Sequence, residues 1–361
     1  MSSLPTQLYD GLIVGQYPTG WYNASGSFYA KTVSVAADRY TLLSPIQIQA
    51  DVGLPGSSVS LSQSSQTTLD LSVATNWAST SPTDYTVAGN RAGKDFYVYG
   101  CVPTSGSIIK LVLSSNGSAP TGYTTANSRL LGGFHCLCVA AGTISSHPAS
   151  GYVAGDIIPN SVWDLNWYAE SGIQQGMALD NEINQWVYIY PASGTTAAPV
   201  SVFGGTVIVS ANWLDVIDAG RAVKMRLPWD GEYQSLAALS NEGTNVSGGV
   251  SPVTAGGHSD TAGRRCISQF FLEDCTGVWN HWLQDQSFQY DNSTWNWTVL
   301  PAGKGYIYKE GSKGDVKVVA GGAYADGVNA GSRSRNMSYA RSDSAATIGF
   351  RLLARHINRN H

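Results

Sequence analysis

Bond-making chemistry asks first for thiols, imidazoles or paired carboxylates held close together. The sequence holds five cysteines: Cys101, Cys136, Cys138, Cys266 and Cys275. So odd and sparse a set does not make a disulfide framework. Cys136-x-Cys138 has the wrong spacing for zinc and no matching second pair. All five are expected to be buried, inert, small apolar residues. A Cys266–Cys275 bridge has nothing in the sequence to support it. The six histidines, at positions 135, 147, 258, 281, 356 and 361, show neither an i, i+4 pair nor metal-ligand spacing. Asp215/Asp218 and Asp230/Glu232 are close acids, but helix first turns and solvated faces account for them better than catalysis does. The chain has no Gly-x-Ser-x-Gly elbow and no phosphate-binding loop. No catalysis, metal or cofactor is therefore expected; the expectation is binding.

Composition narrows what can be bound. Charged residues make up 13% of the 361, against roughly 25% in an ordinary soluble domain. Apolar residues are near normal at 43%, and 40 glycines help to supply the rest. That is too apolar and too weakly charged for a disordered chain. A net charge of −4 and the lack of any Lys/Arg block exclude a nucleic-acid binder. The longest apolar stretch, Leu130 to Gly142, is interrupted by Gly132, Gly133 and His135 and is too short to span a membrane. The start, Met1-Ser-Ser-Leu-Pro5, has no basic and no apolar region of a secretory signal, so synthesis in a cytoplasm is expected.

Any binding residues must be positioned by β-structure. The segments 29–35, 46–52, 68–73 and 95–99 largely alternate apolar and polar side chains, which implies strands with one buried face each. Gly, Pro, Ser and Asn clusters separate them at hairpin spacing. Near residue 160 the composition changes. Nine of the eleven Trp lie between Trp163 and Trp297, and no Lys or Arg occurs between Leu130 and Gly220. That cation-free stretch suits a sheet core and an interface between subunits equally well. Two helices are expected. One runs through Trp213–Ala219, with Trp213, Val216 and Ile217 on one face and Gly220 as its stop. The other follows Pro228, with acids in its first turn and Tyr233, Leu236 and Ala237 on one face. Further strands are expected around 305–308 and 316–320. Six arginines fall between Arg333 and Arg359, spaced among small residues. They are expected to pin loops through their forked donors.

Arg226-Leu-Pro-Trp-Asp-Gly-Glu-Tyr233 resembles the helix-opening motif of the formylglycine-generating-enzyme branch of the C-type lectin fold. So do Gly321-Gly-Ala-Tyr324, Gly331-Ser-Arg333 and Ile348-Gly-Phe-Arg351. Together with Asp95–Tyr99, Ser118–Tyr123, Gly132–His135, Ser161–Leu165 and Gly176-Met177, in this order over roughly residues 90 to 361, they are similar to the major tropism determinants. These are receptor-binding phage tail proteins diversified by retroelements. The resemblance implies a mainly β chain with two short helices. With it, a β-sandwich middle domain is expected over 46–155 and a C-type lectin-like domain over 156–361, with a variable segment at 321–351; residues 1–45 match nothing in the family and are expected, by position alone, to be an N-terminal β region for virion attachment and trimerisation. The resemblance further implies a homotrimer at a tail-fibre tip of the virion, contacting other tail proteins and a host bacterial surface receptor. Neither nucleic acid nor membrane insertion is implied.

Carried across the matched spacing, the family's diversified positions fall on Ala323, Ala325, Asp326, Gly327 and Asn329, then Asn336, Ser338 and Tyr339, then Asp343, Ala345, Thr347 and Ile348. Each of these residue types can arise by adenine-targeted change of an Asn-type codon. They are expected to be exposed, with Tyr339 and Asn336 as central contacts. Gly321, Gly322, Tyr324, Arg333, Gly349 and Arg351 are expected as scaffold, with Met337 and Arg335 as fixed neighbours. The family's catalytic cousin uses thiols late in the domain, and this chain has no Cys after Cys275. Calcium-dependent lectins present Glu-Pro-Asn or Gln-Pro-Asp with Trp-Asn-Asp, and none of these occurs. Calcium-independent glycan binding stays open. Trp279, Trp282, Trp295 and Trp297 are expected to fill the core rather than stack on sugars.

Overall fold

A computed structural model describes residues 69–103, 110–125, 127–164, 167–246, 251–288, 294–299, 306–310 and 314–358, and before these only isolated strands. The expected strand at 29–35 lies outside the described residues. Contacts divide the chain into two compact units. One comprises Met1–Val139, Tyr152–Tyr168 and Ile357–His361; the other comprises Ala140–Gly151 and Ala169–His356.

In the first unit, Gln7–Tyr9 (β1), Leu12–Val14 (β2), Ile46–Asp51 (β4) and Ser58–Gln63 (β5) form an antiparallel sheet in that order. Arg39–Leu42 (β3) pairs with Thr67–Asp70 (β6). Asp95–Cys101 (β7), Lys110–Ser114 (β8), Ser128–His135 (β9) and Trp163–Asp164 (β10) form a second sheet in the order β10-β9-β7-β8. The alternation of β7 predicted one buried face. Instead every residue from Phe96 to Cys101 is buried, because Tyr97 and Tyr99 are covered as well as Phe96 and Val98, Tyr97 the least completely. A four-residue helix unforeseen in the sequence, Ala88–Arg91 (α1), ends on a buried arginine. Arg91 donates to the carbonyls of Tyr85 (2.8 Å), Thr86 (3.0 Å) and Gly155 (3.1 Å), which explains how so short a helix persists.

After Trp167–Ala169 (β11), the second unit places Gln185–Tyr188 (β13) between Met177–Asp180 (β12) and Leu353–Asn358 (β22). Ser193–Thr195 (β14) and Ala198–Val200 (β15) make a hairpin. Trp213–Ala222 (α2) starts at Asn212, whose side-chain oxygen accepts from the N–H groups of Leu214 (3.0 Å) and Asp215 (3.1 Å). Gly220 does not stop it. The glycine sits on the buried face, where a Cβ would come within 2.8 Å of the Met225 carbonyl oxygen. Asp230–Leu236 (α3) buries Tyr233 and Leu236 as expected. Glu232 accepts from the Trp229 N–H (2.8 Å) and pairs with Arg226 at 2.6 Å, closing the helix's first turn.

The last sheet joins Asn280–Phe288 (β16), Asp315–Gly321 (β19), Gly331–Ala340 (β20) and Ile348–Gly349 (β21) in the order β20-β19-β16-β21. Trp295–Val299 (β17) pairs with Tyr306–Glu310 (β18). Trp279 and Trp282 are fully buried, but Trp295 and Trp297 are 47% and 69% exposed, correcting the expectation that all four fill the core. The exposed pair belongs to the β17–β18 hairpin, where Trp295 stacks on Phe288 and Trp297 lies against Tyr308. All five cysteines are buried and free, so Cys266 and Cys275 are not bridged. The cation-free stretch supplies Leu131, Phe134, Leu137, Ile157, Trp186 and Tyr188 to the two cores, as a sheet core requires.

Candidate functional site

The segment 321–351 begins where β19 ends in two glycines. Gly321 and Gly322 have φ of +95° and +78°. A Cβ on Gly321 would sit 2.4 Å from the Cys275 carbonyl oxygen, and one on Gly322 would sit 2.7 Å from Ala330 Cα. Both positions therefore need glycine for conformation and for space. Gly321→Ala is expected to cost about 2–3 kcal/mol of stability, since strain and backbone overlap act together. A urea midpoint unchanged from wild type would count against this account of the turn.

Beyond the turn the backbone is tied down by its own polar groups. The Asp326 carboxylate accepts from the Ala323 N–H (2.6 Å), and Asn329 N–H donates to the Asp326 carbonyl (3.0 Å). The Ala330 carbonyl accepts from Gly243 N–H (2.8 Å), and Glu242 accepts from Ser332 N–H (3.1 Å). The chain then returns as β20, an edge strand of its sheet, whose register against β19 slips twice. Such bulges re-aim side chains. At the far end Asp343 closes a turn by accepting from Ala340 N–H (2.8 Å), and Thr347 O accepts from Asn280 N–H (2.9 Å).

These pieces surround a cavity of about 400 Å³. Asp326, Asn329, Asn336 and Ser338 line it, together with Ser334, Arg335 and Met337. Its polar groups are mostly amides and hydroxyls. Its one cation is already engaged: Arg335 bonds Asp230 through Nε, donates to the carbonyls of Ser332 (3.0 Å) and Ser334 (2.7 Å), and lies 5.3 Å over the Tyr233 ring. Asn336 Oδ1 accepts from Ser338 N–H at 2.9 Å. Tyr339 meets buried Trp282 edge-on, with centroids 6.0 Å apart. Directly across from Tyr339 on β19, Lys317 is buried with its ammonium 4.0 Å from the Trp213 ring centroid, and burial lowers its pKa.

The twelve candidate positions do not share one environment. Ala325, Asn329 and Asn336 are exposed; Asp326, Gly327, Ser338, Tyr339, Asp343, Ala345 and Thr347 are half-buried. Ala323 and Ile348 are buried at 2% and 1%, against the expectation of exposure. Ala323 bridges to Val278, and Ile348 pairs in parallel with Asn280, so both belong to the sheet interior. Among the scaffold residues, Tyr324 is half-buried and Gly349 buried. Arg351 is wholly buried and donates to the carbonyls of Tyr188, Ile189 and Glu273. Arg333 departs from its expected role: on the edge strand its side chain is exposed and reaches no buried carbonyl among the described residues. Reading by residue type missed Asn280 and Ser334 in the cavity wall. Only the strand period through Ser334, Asn336 and Ser338 hinted at Ser334, and nothing local pointed to Asn280.

Chemistry at the thiols is disfavoured. Burial raises both, Cys275 to about 11 and Cys266 further, so neither is a thiolate near neutrality. Among the described residues no three His, Cys, Asp or Glu side chains converge as a metal site requires.

Residues 58–164 match the family described as the Mtd second domain. Over 301 residues the chain is 26% identical to the tail fiber receptor-binding protein of Bordetella phage BPP-1, covering 77% of this chain and 75% of that protein. The solved Major Tropism Determinant U1 variant superposes with a TM-score of 0.68 at 23% identity, over 91% of this chain and 83% of its own. The P3c variant superposes with a TM-score of 0.69 at 21% identity, over the same shares of both chains. The mainly β fold with a C-type lectin-like C-terminal part is thus that of the major tropism determinants.

Proposed function

We propose that this chain, a member of the major tropism determinant family, is the receptor-binding protein of a phage tail, located on the virion and contacting a host bacterial surface receptor. The supporting observation is the cavity on the edge strand. It is lined by Asp326, Asn329, Asn336 and Ser338 and bordered by exposed Met337. Amides, hydroxyls and a flexible thioether can re-pair with different partners, while a rigid sheet beneath holds them in place. In this reading the receptor-contacting positions are Ala325, Asp326, Gly327, Asn329, Asn336, Ser338, Tyr339, Asp343, Ala345 and Thr347. Variation by a retroelement would act on these. A homotrimer seated among other tail proteins would raise a modest single-site affinity through avidity. Recognition is by shape and hydrogen bonding, with no calcium and no covalent step.

The test is capture of host envelope by wild type and by an Asn336→Ala, Tyr339→Ala double variant. Tyr339 is held edge-on by Trp282 before any partner arrives, so its ordering cost is already met. Capture is expected to weaken at least about tenfold, and a chelator to leave wild-type capture unchanged. Full capture by a folded double variant, or loss of capture on chelation, would overturn the assignment.

A further inference from the structure

We propose a second ligand site, in the first unit, that takes a neutral pyranose ring. It is a cavity of about 290 Å³ between the Trp77–Tyr85 loop and the end of β8. That volume lies at the lower edge of ordinary small-molecule sites, about 300 Å³ and upward, which suits a single sugar ring better than a larger ligand.

The floor is aromatic and built in advance. Trp77 is 4% exposed, and its Nε1 donates to the Leu71 carbonyl (2.9 Å), which fixes the ring. Tyr85 lies beside it at 5.5 Å between centroids, and Phe96 meets both edge-on from behind, at 5.1 and 5.0 Å. Trp77 is almost covered, so half-buried Tyr85 supplies the part of this floor that is open to a sugar's C–H groups. The rim is entirely uncharged and rich in hydroxyls: Ser79, Thr83, Ser115, Asn116 and Thr121 all line the opening. Ser79 is spent on its own turn, donating to the Ser81 carbonyl (2.8 Å) and accepting from the Ser81 N–H (3.0 Å). The Asn116 side chain makes one weak bond, to Thr121 Oγ1 at 3.3 Å, and keeps its carbonyl oxygen and a second N–H for a ligand. A hexose carries donors and acceptors around its edge and an apolar face, which is this arrangement in complement. No cation lines the cavity, and the Lys94 ammonium, 5.3 Å over the Tyr85 ring, lies outside its lining, so a sialic acid or sugar phosphate would lose its hydration with little charge to replace it.

The experiment uses the full chain, titrated by NMR with methyl glucoside, methyl galactoside and N-acetylglucosamine, with N-acetylneuraminic acid and glucose 6-phosphate as charged controls. At least one neutral sugar is expected to bind saturably. Its affinity should fall about tenfold in Asn116→Ala, where hydrogen bonds are lost. Tyr85→Leu, which removes part of the floor, should weaken it likewise. Asn116 is exposed, so its variant keeps the test valid should Tyr85→Leu unfold. The Asn336→Ala, Tyr339→Ala variant should bind the sugar as wild type does, which separates this site from the receptor face. The proposal is overturned if no neutral sugar binds, if a charged control binds more tightly, if Asn116→Ala binds undiminished, or if the receptor-face variant abolishes binding.

Discussion

Arg351→Met is expected to lower the unfolding free energy by about 3–5 kcal/mol, the largest loss from any single side chain considered. The guanidinium is fully buried, with one nitrogen donating to the carbonyls of Tyr188 and Ile189 and another to that of Glu273. Methionine fills much of the volume but donates nothing. Three buried carbonyls then lose a charged partner, at about 1–3 kcal/mol each before relaxation. Removing a buried cation returns part of that, so the net falls below the sum. Arg351→Lys should rescue little, because a point charge cannot fork to three acceptors on two segments. The measurement is the guanidinium midpoint at unchanged slope. A loss under about 1 kcal/mol would show that the carbonyls find other partners.

Acidification from pH 7 to pH 4 should destabilise the chain by a few kcal/mol, with His281 and His356 as the main causes. His281 is wholly buried, and its Nε2 donates to the Asp274 carbonyl (3.0 Å) while Nδ1 has no hydrogen-bond partner among the described residues. Protonation would place an unpartnered N–H⁺ in the core. Burial, reinforced by the nearby Arg351, lowers its pKa to about 3. His356 accepts the Trp186 Nε1–H at Nδ1 (3.0 Å), a bond that protonation there would break, and burial lowers it to about 4. Unfolded, both rings take up a proton near pH 6.5. Below that pH the unfolded chain binds more protons than the folded one, and stability falls toward the folded values. Asp180 opposes this in part: burial raises it to about 6, so its own contribution improves as pH falls from 6 toward 4. A His356→Phe variant should flatten the decline by roughly the share of one ring. A stability flat between pH 7 and 4 would contradict the neutral, buried state of both rings.

Local signals were enough for some of this architecture. Pro228 followed by acids and a Tyr233/Leu236 face gave a helix that formed as read, and the runs at 46–51 and 316–320 lie in strands. Tertiary context decided the rest. Trp279 and Trp295 have the same side chain, and Trp295-Asn-Trp297 alternates as any half-buried strand would. Whether a second layer covers the strand is not written in the strand itself. Arg333 and Arg351 follow Gly-Ser and Gly-Phe. The fully buried Phe350 draws the second into the core, while the first lies on an edge facing water. At the candidate site, alanine and isoleucine suit a core as well as a surface, so residue type could not reveal that Ala323 and Ile348 belong to the sheet interior. The cavity lies along a strand whose register slips twice, which no spacing rule anticipates.

Arg351 and Arg91 share a property beyond their depth. Among the described residues each bonds only main-chain oxygens, of Tyr188, Ile189 and Glu273 in one unit and of Leu71, Tyr85, Thr86 and Gly155 in the other. A peptide oxygen is the same whatever side chain its residue carries. Replacing those partner residues leaves the acceptors in place, and none of them belongs to the displayed face. Changes at Ala325, Asn329 or Asn336 should therefore have little effect on the anchors, which share no partner with them. Inheritance can then explore the face widely while the fold beneath stays the same from one generation to the next.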